Sequence, residues 1–229
     1  VAFADAINLR SQDLAGFVGK PKGAKHGSQL VHGLKDKAHY ERCLGVGKET
    51  KPIFKRSSEN FERVGGVRYL SASSEVQVAR TRATAEKELT IARQVFENPK
   101  KRGCLAAAFD AMLGGGHTIH THGHAVGITI RHTHVASVPI GSAASGTGGG
   151  FGMSLTMDLT YSFSVRGRAF TVPGVFSFDS LNFILGRASV GLTTMAFGGP
   201  FPAEREASLF SLLVAHARDA SRQSPAIIQ

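Results

Sequence analysis

Sixteen consecutive residues, 151–166, alternate without interruption. Phe151, Met153, Leu155, Met157, Leu159, Tyr161, Phe163 and Val165 are apolar, and Gly152, Ser154, Thr156, Asp158, Thr160, Ser162, Ser164 and Arg166 between them are not. A period of two places successive side chains on opposite sides of an extended chain, so the segment is a long strand with one dry and one wet face. Arg166-Gly167-Arg168 turns into a second strand over about 169–184, bent at Pro173-Gly174, and Gly186 turns into a third over 187–197. Three strands joined only by turns make an antiparallel meander.

Upstream, residues 66–79 also alternate, with Leu70, Ala72, Ser74, Val76 and Val78 on one side of a half-buried strand. The period then changes. Ala85, Leu89, Ala92 and Phe96 are spaced for one stripe of a helix, with Thr81 as its N-cap and Asn98-Pro99 as its stop. Gly103 to Leu113 forms another helix, with Leu105, Phe109 and Met112 on one side, and the glycines at 114–116 end it. After Pro202 a last helix carries Leu209, Leu213 and Ala217 in a stripe. Ser11 caps a short turn that Gly16 ends, residues 18–29 read as a mobile loop, a helix fits 30–44, and 141–150 is a Gly-rich loop. That last loop is not a phosphate cradle, because it lacks the Gly-Lys-Ser/Thr ending and leads into a strand. The expectation is one α+β domain over 1–229: an antiparallel sheet with a C-terminal three-strand meander, and helices packed mainly on one face.

An apolar fraction of 42% with 15 Phe excludes a disordered chain, and no run reaches the roughly 18 uncharged apolar residues of a membrane-spanning helix. The net charge of +10 is concentrated early, since 20 of the 27 Lys and Arg precede Gly103 against 11 of the 17 Asp and Glu. Such a surface attracts polyanions by Coulomb force alone. No nucleic-acid recognition motif accompanies it, so sequence-specific nucleic-acid binding is not expected.

Cys43 and Cys104 are the two cysteines, each near a helix end. They admit either a disulfide, which would mark an oxidising compartment, or two buried thiols. Six of the ten His crowd into 117–134. In an extended chain His120, His122 and His124 share one side, about 7 Å apart by strand rise, and His132 and His134 repeat the spacing. Two such imidazoles meet one Zn, Ni or Cu ion if a third ligand arrives from elsewhere. The run lacks the Asp-His pair of metallo-β-lactamase-like hydrolases, and Asp110 is the one acidic residue within about twenty positions, which argues against a hydrolytic centre. No GxSxG, CxxC, HExxH or evident carboxylate pair is present, so no catalytic residue is assigned.

The residues Asn8-Leu9-Arg10, Asp13-Leu14-Ala15-Gly16-Phe17, Arg42-Cys43-Leu44-Gly45, Ser57 with Phe61, Ser73-Ser74-Glu75-Val76, Gly103-Cys104-Leu105, Phe201-Pro202-Ala203-Glu204 and Leu209-Phe210-Ser211-Leu212-Leu213 span most of the chain. Together they resemble a family of exported actinobacterial proteins, many of them lipoproteins, related to the extracellular sensor domain of a mycobacterial Ser/Thr kinase. The resemblance implies a sheet-and-helix sandwich, export, pairing of Cys43 with Cys104, and no catalytic residues. The chain departs from the pattern in having no lipobox Cys near Val1 and in its His-rich segment. The expected function is a non-catalytic extracytoplasmic binding or sensor-like domain of the cell envelope. Its expected partner is an anionic envelope component or a small ligand, and the alternative is metal binding by the histidines.

Overall fold

The structure, a computed structural model, describes residues 2–21, 43–45, 51–66, 68–113, 117–121, 124–140, 144–165 and 168–224. In chain order these form α1 (Ala2–Ile7), β1 (Val18–Lys20), β2 (Phe54–Ser57), β3 (Asn60–Gly65), β4 (Arg68–Val78), α2 (Arg82–Glu97), α3 (Pro99–Leu113), β5 (His117–Thr121), β6 (His124–Val138), β7 (Gly150–Val165), β8 (Arg168–Leu185), β9 (Ala188–Phe197) and α4 (Ala203–Gln223), with a 3-10 turn at Ser11–Asp13. The α+β class is observed. The described strands make one nine-stranded antiparallel sheet in the order β1-β3-β4-β9-β8-β7-β6-β5, and β2 continues the line of β3 along the same edge of β4.

The alternating segment is β7. It pairs along its whole length with β8, from Gly150 opposite Phe183 to Val165 opposite Arg168. The expected C-terminal meander is therefore present, and β5 and β6 extend it to five strands.

Register divides the side chains between two faces. One carries Ala72, Val76, Val190, Leu192, Leu181 and Phe183, which pack against α1 (Phe3, Ala4, Ile7) and α4 (Leu209, Phe210, Leu213, Val214, Ala217). The opposite face carries Met153, Leu155, Met157 and Leu159 under Phe96 of α2 and Leu105, Ala106 and Phe109 of α3. Ala85 and Leu89 of α2 continue this contact onto Ile184. The helices thus cover both faces, whereas the order of elements suggested one. Each layer has its own apolar patch to bury, and each fully buried large side chain contributes about 1.5–3 kcal/mol.

Local signals account for the helix ends. Thr81 Oγ1 accepts from the Thr84 N–H at 3.1 Å, capping α2. Asn98-Pro99 stops α2 and also starts α3, because Asn98 Oδ1 accepts from the Lys100 N–H at 2.9 Å and Pro suits a first helical turn. For that reason α3 begins four residues before the expected Gly103. Val18–Lys20, assigned by composition to a mobile loop, form β1 instead; Lys20 Nζ meets Glu62 Oε2 of β3 at 2.6 Å. The rest of that loop from residue 22, and the helix expected over 30–44 apart from residues 43 and 44, lie outside the described residues. Of the Gly-rich loop, 144–149 are described, and Gly150 already belongs to β7.

Between β2 and β3 the edge opens at Ser58 and Glu59. The Ser58 N–H still donates to the Ser74 carbonyl, while Ser58 Oγ replaces a backbone acceptor for the Ser74 N–H, both at 2.9 Å. Ser74 Oγ then accepts from the Leu9 N–H at 2.9 Å and donates to Asn8 Oδ1 at 2.8 Å. Asn8, Ser58 and Ser74 are all buried, so this network fixes α1 to the sheet with its polar groups satisfied. Ser74→Ala would orphan Asn8 Oδ1 and the Leu9 N–H. The expected cost is about 2 kcal/mol, seen as a Tm lower by about 4–8 °C with an unchanged urea m-value.

Candidate functional site

Where neither helical layer reaches, the sheet face that carries Leu155 is polar. Ser73, Glu75 and Gln77 of β4, Ser189, Gly191 and Thr193 of β9, and Ser180 and Asn182 of β8 line a basin of about 170 Å³. Alternation along three neighbouring strands brings these small hydroxyl and amide groups to one surface. Gly191 leaves room there: a Cβ would stand 2.7 Å from Asn182 Oδ1, so a larger residue would displace the carboxamide. The Asn182 carboxamide therefore lies over β9 and donates to Ser180 Oγ at 3.0 Å.

One charged group is fixed at the rim. Glu75 Oε1 accepts from Lys55 Nζ and Gln77 Nε2, each at 2.8 Å, and its Oε2 accepts from Ser57 Oγ at 2.9 Å. Burial pushes the Glu75 carboxyl up, but Lys55, Gln77 and Ser57 together outweigh it and hold it below the usual carboxylate range. The basin is a set of donors and acceptors around a neutralised carboxylate. Among its lining residues there is no His, Cys or paired acid to serve as nucleophile or base.

On the opposite face, β8 and α4 bring two further carboxylates together. Thr194 Oγ1 donates to Glu206 Oε1 at 2.5 Å, and Asp179 lies directly across from Thr194. Burial raises both carboxyls above their ordinary range; hydrogen bonds from Ser154 to Asp179 and from Thr194 to Glu206 offset this in part, and the charge of Asp179 adds to it at Glu206. Ser177 Oγ, two residues before Asp179 on the same face, is buried without a hydrogen-bond partner. A wide groove of about 640 Å³ lies on this face at the far end of the meander, lined by Arg131, Asp158, Thr160, Thr171 and Pro173 among others. Arg131 Nε donates there to Thr160 Oγ1 at 2.9 Å.

Cys43 and Cys104 are joined by a disulfide, with Cα atoms 6.3 Å apart, which ties residue 43 to α3. The histidines do not share one continuous strand. The chain reverses between β5 and β6, with Thr121 opposite His124 and His120 opposite Ala125, so the spacing argument for His120, His122 and His124 does not apply. His122 lies outside the described residues. His132 and His134 are exposed on β6, opposite Asp158 and Thr156. A bulge between Ile130 and His132 shifts the register by one, and this puts both histidines on the face of Asp158. Among the described residues no group of three His, Cys, Asp or Glu is placed to hold a metal ion.

Neither the basin nor the carboxylate pair was named from sequence. The usable signal is in β8, where the apolar positions Phe176 and Phe178 give way to Leu181, Phe183 and Leu185, a slip of one in the period of two. A slip of this kind places polar residues opposite polar neighbours on both faces.

Asp179 and Glu206 bind protons more tightly in the folded chain than in the unfolded one. The stability they contribute is full at mildly acid pH and is lost as pH rises through their raised values. Asp179→Asn and Glu206→Gln are each expected to raise Tm at pH 8 by on the order of 2 °C, small because solvent still reaches both carboxyls, with the gain vanishing toward pH 4. Calorimetry across this range checks it.

No family model matches the chain, and no curated protein matches it. Among solved structures, the extracellular domain of PknH from Mycobacterium tuberculosis is similar at 9% identity and a TM-score of 0.30, over 88% of this chain and 100% of that one. A likeness at this level carries no inference about activity.

Proposed function

We propose that this chain is a non-catalytic extracytoplasmic domain that binds a small hydroxylated or amide-bearing ligand in the polar basin. The observation that carries the reading is the basin itself: sheet surface that the described helices leave open, floored by Ser73, Ser180, Asn182 and Thr193 around an ion-paired Glu75. Groups of this type recognise a polar solute by hydrogen bonds, and the neutralised carboxylate fixes its orientation without attracting a cation. The Cys43–Cys104 disulfide supports the compartment, since such bonds persist where thiols are not kept reduced. No described helix is long and apolar enough to cross a membrane.

Thermal-shift screening with monosaccharides, polyols and amino acids tests the binding. A compound at about 100 times its Kd should stabilise the chain by about 2.7 kcal/mol, and Asn182→Leu or Thr193→Val should abolish the shift. If no compound acts, or if the shift survives both substitutions, the basin is not the site. For the compartment, thiol titration in denaturant without reductant should find no free thiol, and reduction should remove about 4 kcal/mol of stability for a bridge spanning 61 positions.

The second reading, a Zn, Ni or Cu site, draws support from the bulge that sets His132 and His134 on the face of Asp158. It requires stoichiometric metal in protein purified without a metal column, and loss of that metal in His132→Ala and His134→Ala.

A further inference from the structure

The groove of about 640 Å³ at the far end of the meander is of the size that holds a small molecule. Pro173 and Val175 of β8 give it an apolar floor. Its wall past the end of β9 carries no side chain, because Gly198 and Gly199 turn there at φ of +80° and +132°, values that favour glycine. The Gly198 N–H donates to the Val175 carbonyl at 3.0 Å and holds that bare wall against β8.

Two opposite charges line the same groove. The bulge between Ile130 and His132 leaves Arg131 outside the strand register and lets it reach the groove on the face of Asp158. Its Nε donates to Thr160 Oγ1 at 2.9 Å, and Thr160 is buried, so the guanidinium is held at one point by a neutral group. Asp158 is exposed two residues along β7 from Thr160, about 7 Å away by strand rise, and stands opposite His132. Among the described residues neither Arg131 nor Asp158 takes part in an ion pair. An anion entering the groove meets Arg131 but is repelled by Asp158, and a cation meets the reverse. A molecule that carries both charges is attracted at each end.

We propose that this groove is a second binding site, for a zwitterionic amino acid or short peptide, with the carboxylate on Arg131, the ammonium on Asp158 and an apolar side chain over Pro173 and Val175. A guanidinium presents two parallel N–H donors to a carboxylate, so the first contact is directional as well as ionic. The apolar floor selects aliphatic side chains over polar ones. The inference does not depend on the basin, which lies on the other face of the sheet and contains neither charge.

Isothermal titration with L-leucine and the dipeptide Leu-Leu tests it. At least one should bind saturably, with a Kd at or below about 1 mM. Acetylating the ammonium or amidating the carboxylate of that probe should each weaken binding about tenfold or more, the loss of one charge-assisted contact. Asp158→Asn should weaken the parent probe to the same degree and leave the N-acetyl form unchanged, and Arg131→Gln should do the same for the parent and the amide. Both variants should keep the wild-type urea midpoint, since both side chains are exposed. Asn182→Leu, in the basin, should alter none of these affinities. The proposal fails if neither probe binds, if the blocked probes bind as tightly as the parent, or if either charge variant binds the parent like wild type. Binding lost on Asn182→Leu would assign the probe to the basin and also overturn it.

Discussion

Strand β8 is where most of the apolar side chains pass from one helical layer's face to the other's. Its N-terminal half directs Phe176 and Phe178 toward the layer of α2 and α3, and its C-terminal half directs Leu181, Phe183 and Leu185 toward α1 and α4. A strand has only two faces and a strict period of two, so this exchange forces polar residues into the intervals the helices leave. On one side the interval holds Ser180 and Asn182, which with their neighbours on β4 and β9 become the basin. On the other it holds Ser177 and Asp179, which meet Thr194 and Glu206. Both polar sites are consequences of one register decision in a single strand.

The same exchange explains how two small helical layers suffice for a broad sheet. Each apolar patch is met by a pair of helices, and the patches meet at the C-terminal end of β8, where Ile184 faces α2 while Phe183 and Leu185 face α1 and α4. What the described helices leave uncovered is polar near the middle, and the exposed large apolar side chains among the described residues stand at the sheet's two ends, Val18, Ile53 and Val64 at the edge strands and Phe170 and Val172 at the distal hairpin. Covalent and polar ties then hold the layers. The Cys43–Cys104 bridge secures residue 43 to α3, and Asn8, Ser74 and Ser58 secure α1 to β4 at the break in the edge strand. In the buried network every member finds a partner, so it specifies where α1 docks without the desolvation cost of an orphaned group.

Much of this architecture is legible in the residues. The uninterrupted alternation of β7, the change of period from β4 to α2, the Thr81 cap and the Leu209, Leu213, Ala217 stripe each depend on side chains adjacent along the chain. Local sterics and amphipathicity decide such features, so they survive reading in one dimension. The edge strands β1 to β3 are different. They are short, rich in Gly, Ser and charge, and owe their extended form to pairing with β4 and to contacts such as Lys20 with Glu62. The placement of the histidines is not legible for a related reason. Spacing assumes a straight strand, whereas the hairpin between β5 and β6 and the bulge at Ile130 and His132 decide which imidazoles share a side.

The sequence by itself determined that this chain would be a sheet-and-helix protein with a long two-faced strand, a C-terminal meander and two cysteines available for a bridge. These follow from periodicity and composition, which act over a few residues. Only the tertiary structure decided that helices cover both faces, that Asn182 lies over Gly191 beside a neutralised Glu75, and that Asp179 approaches Glu206. Each of those pairs joins residues brought together by the alignment of separate elements. Register across strands, and which helix lands on which patch, depend on the whole core packing at once, and no local pattern records that.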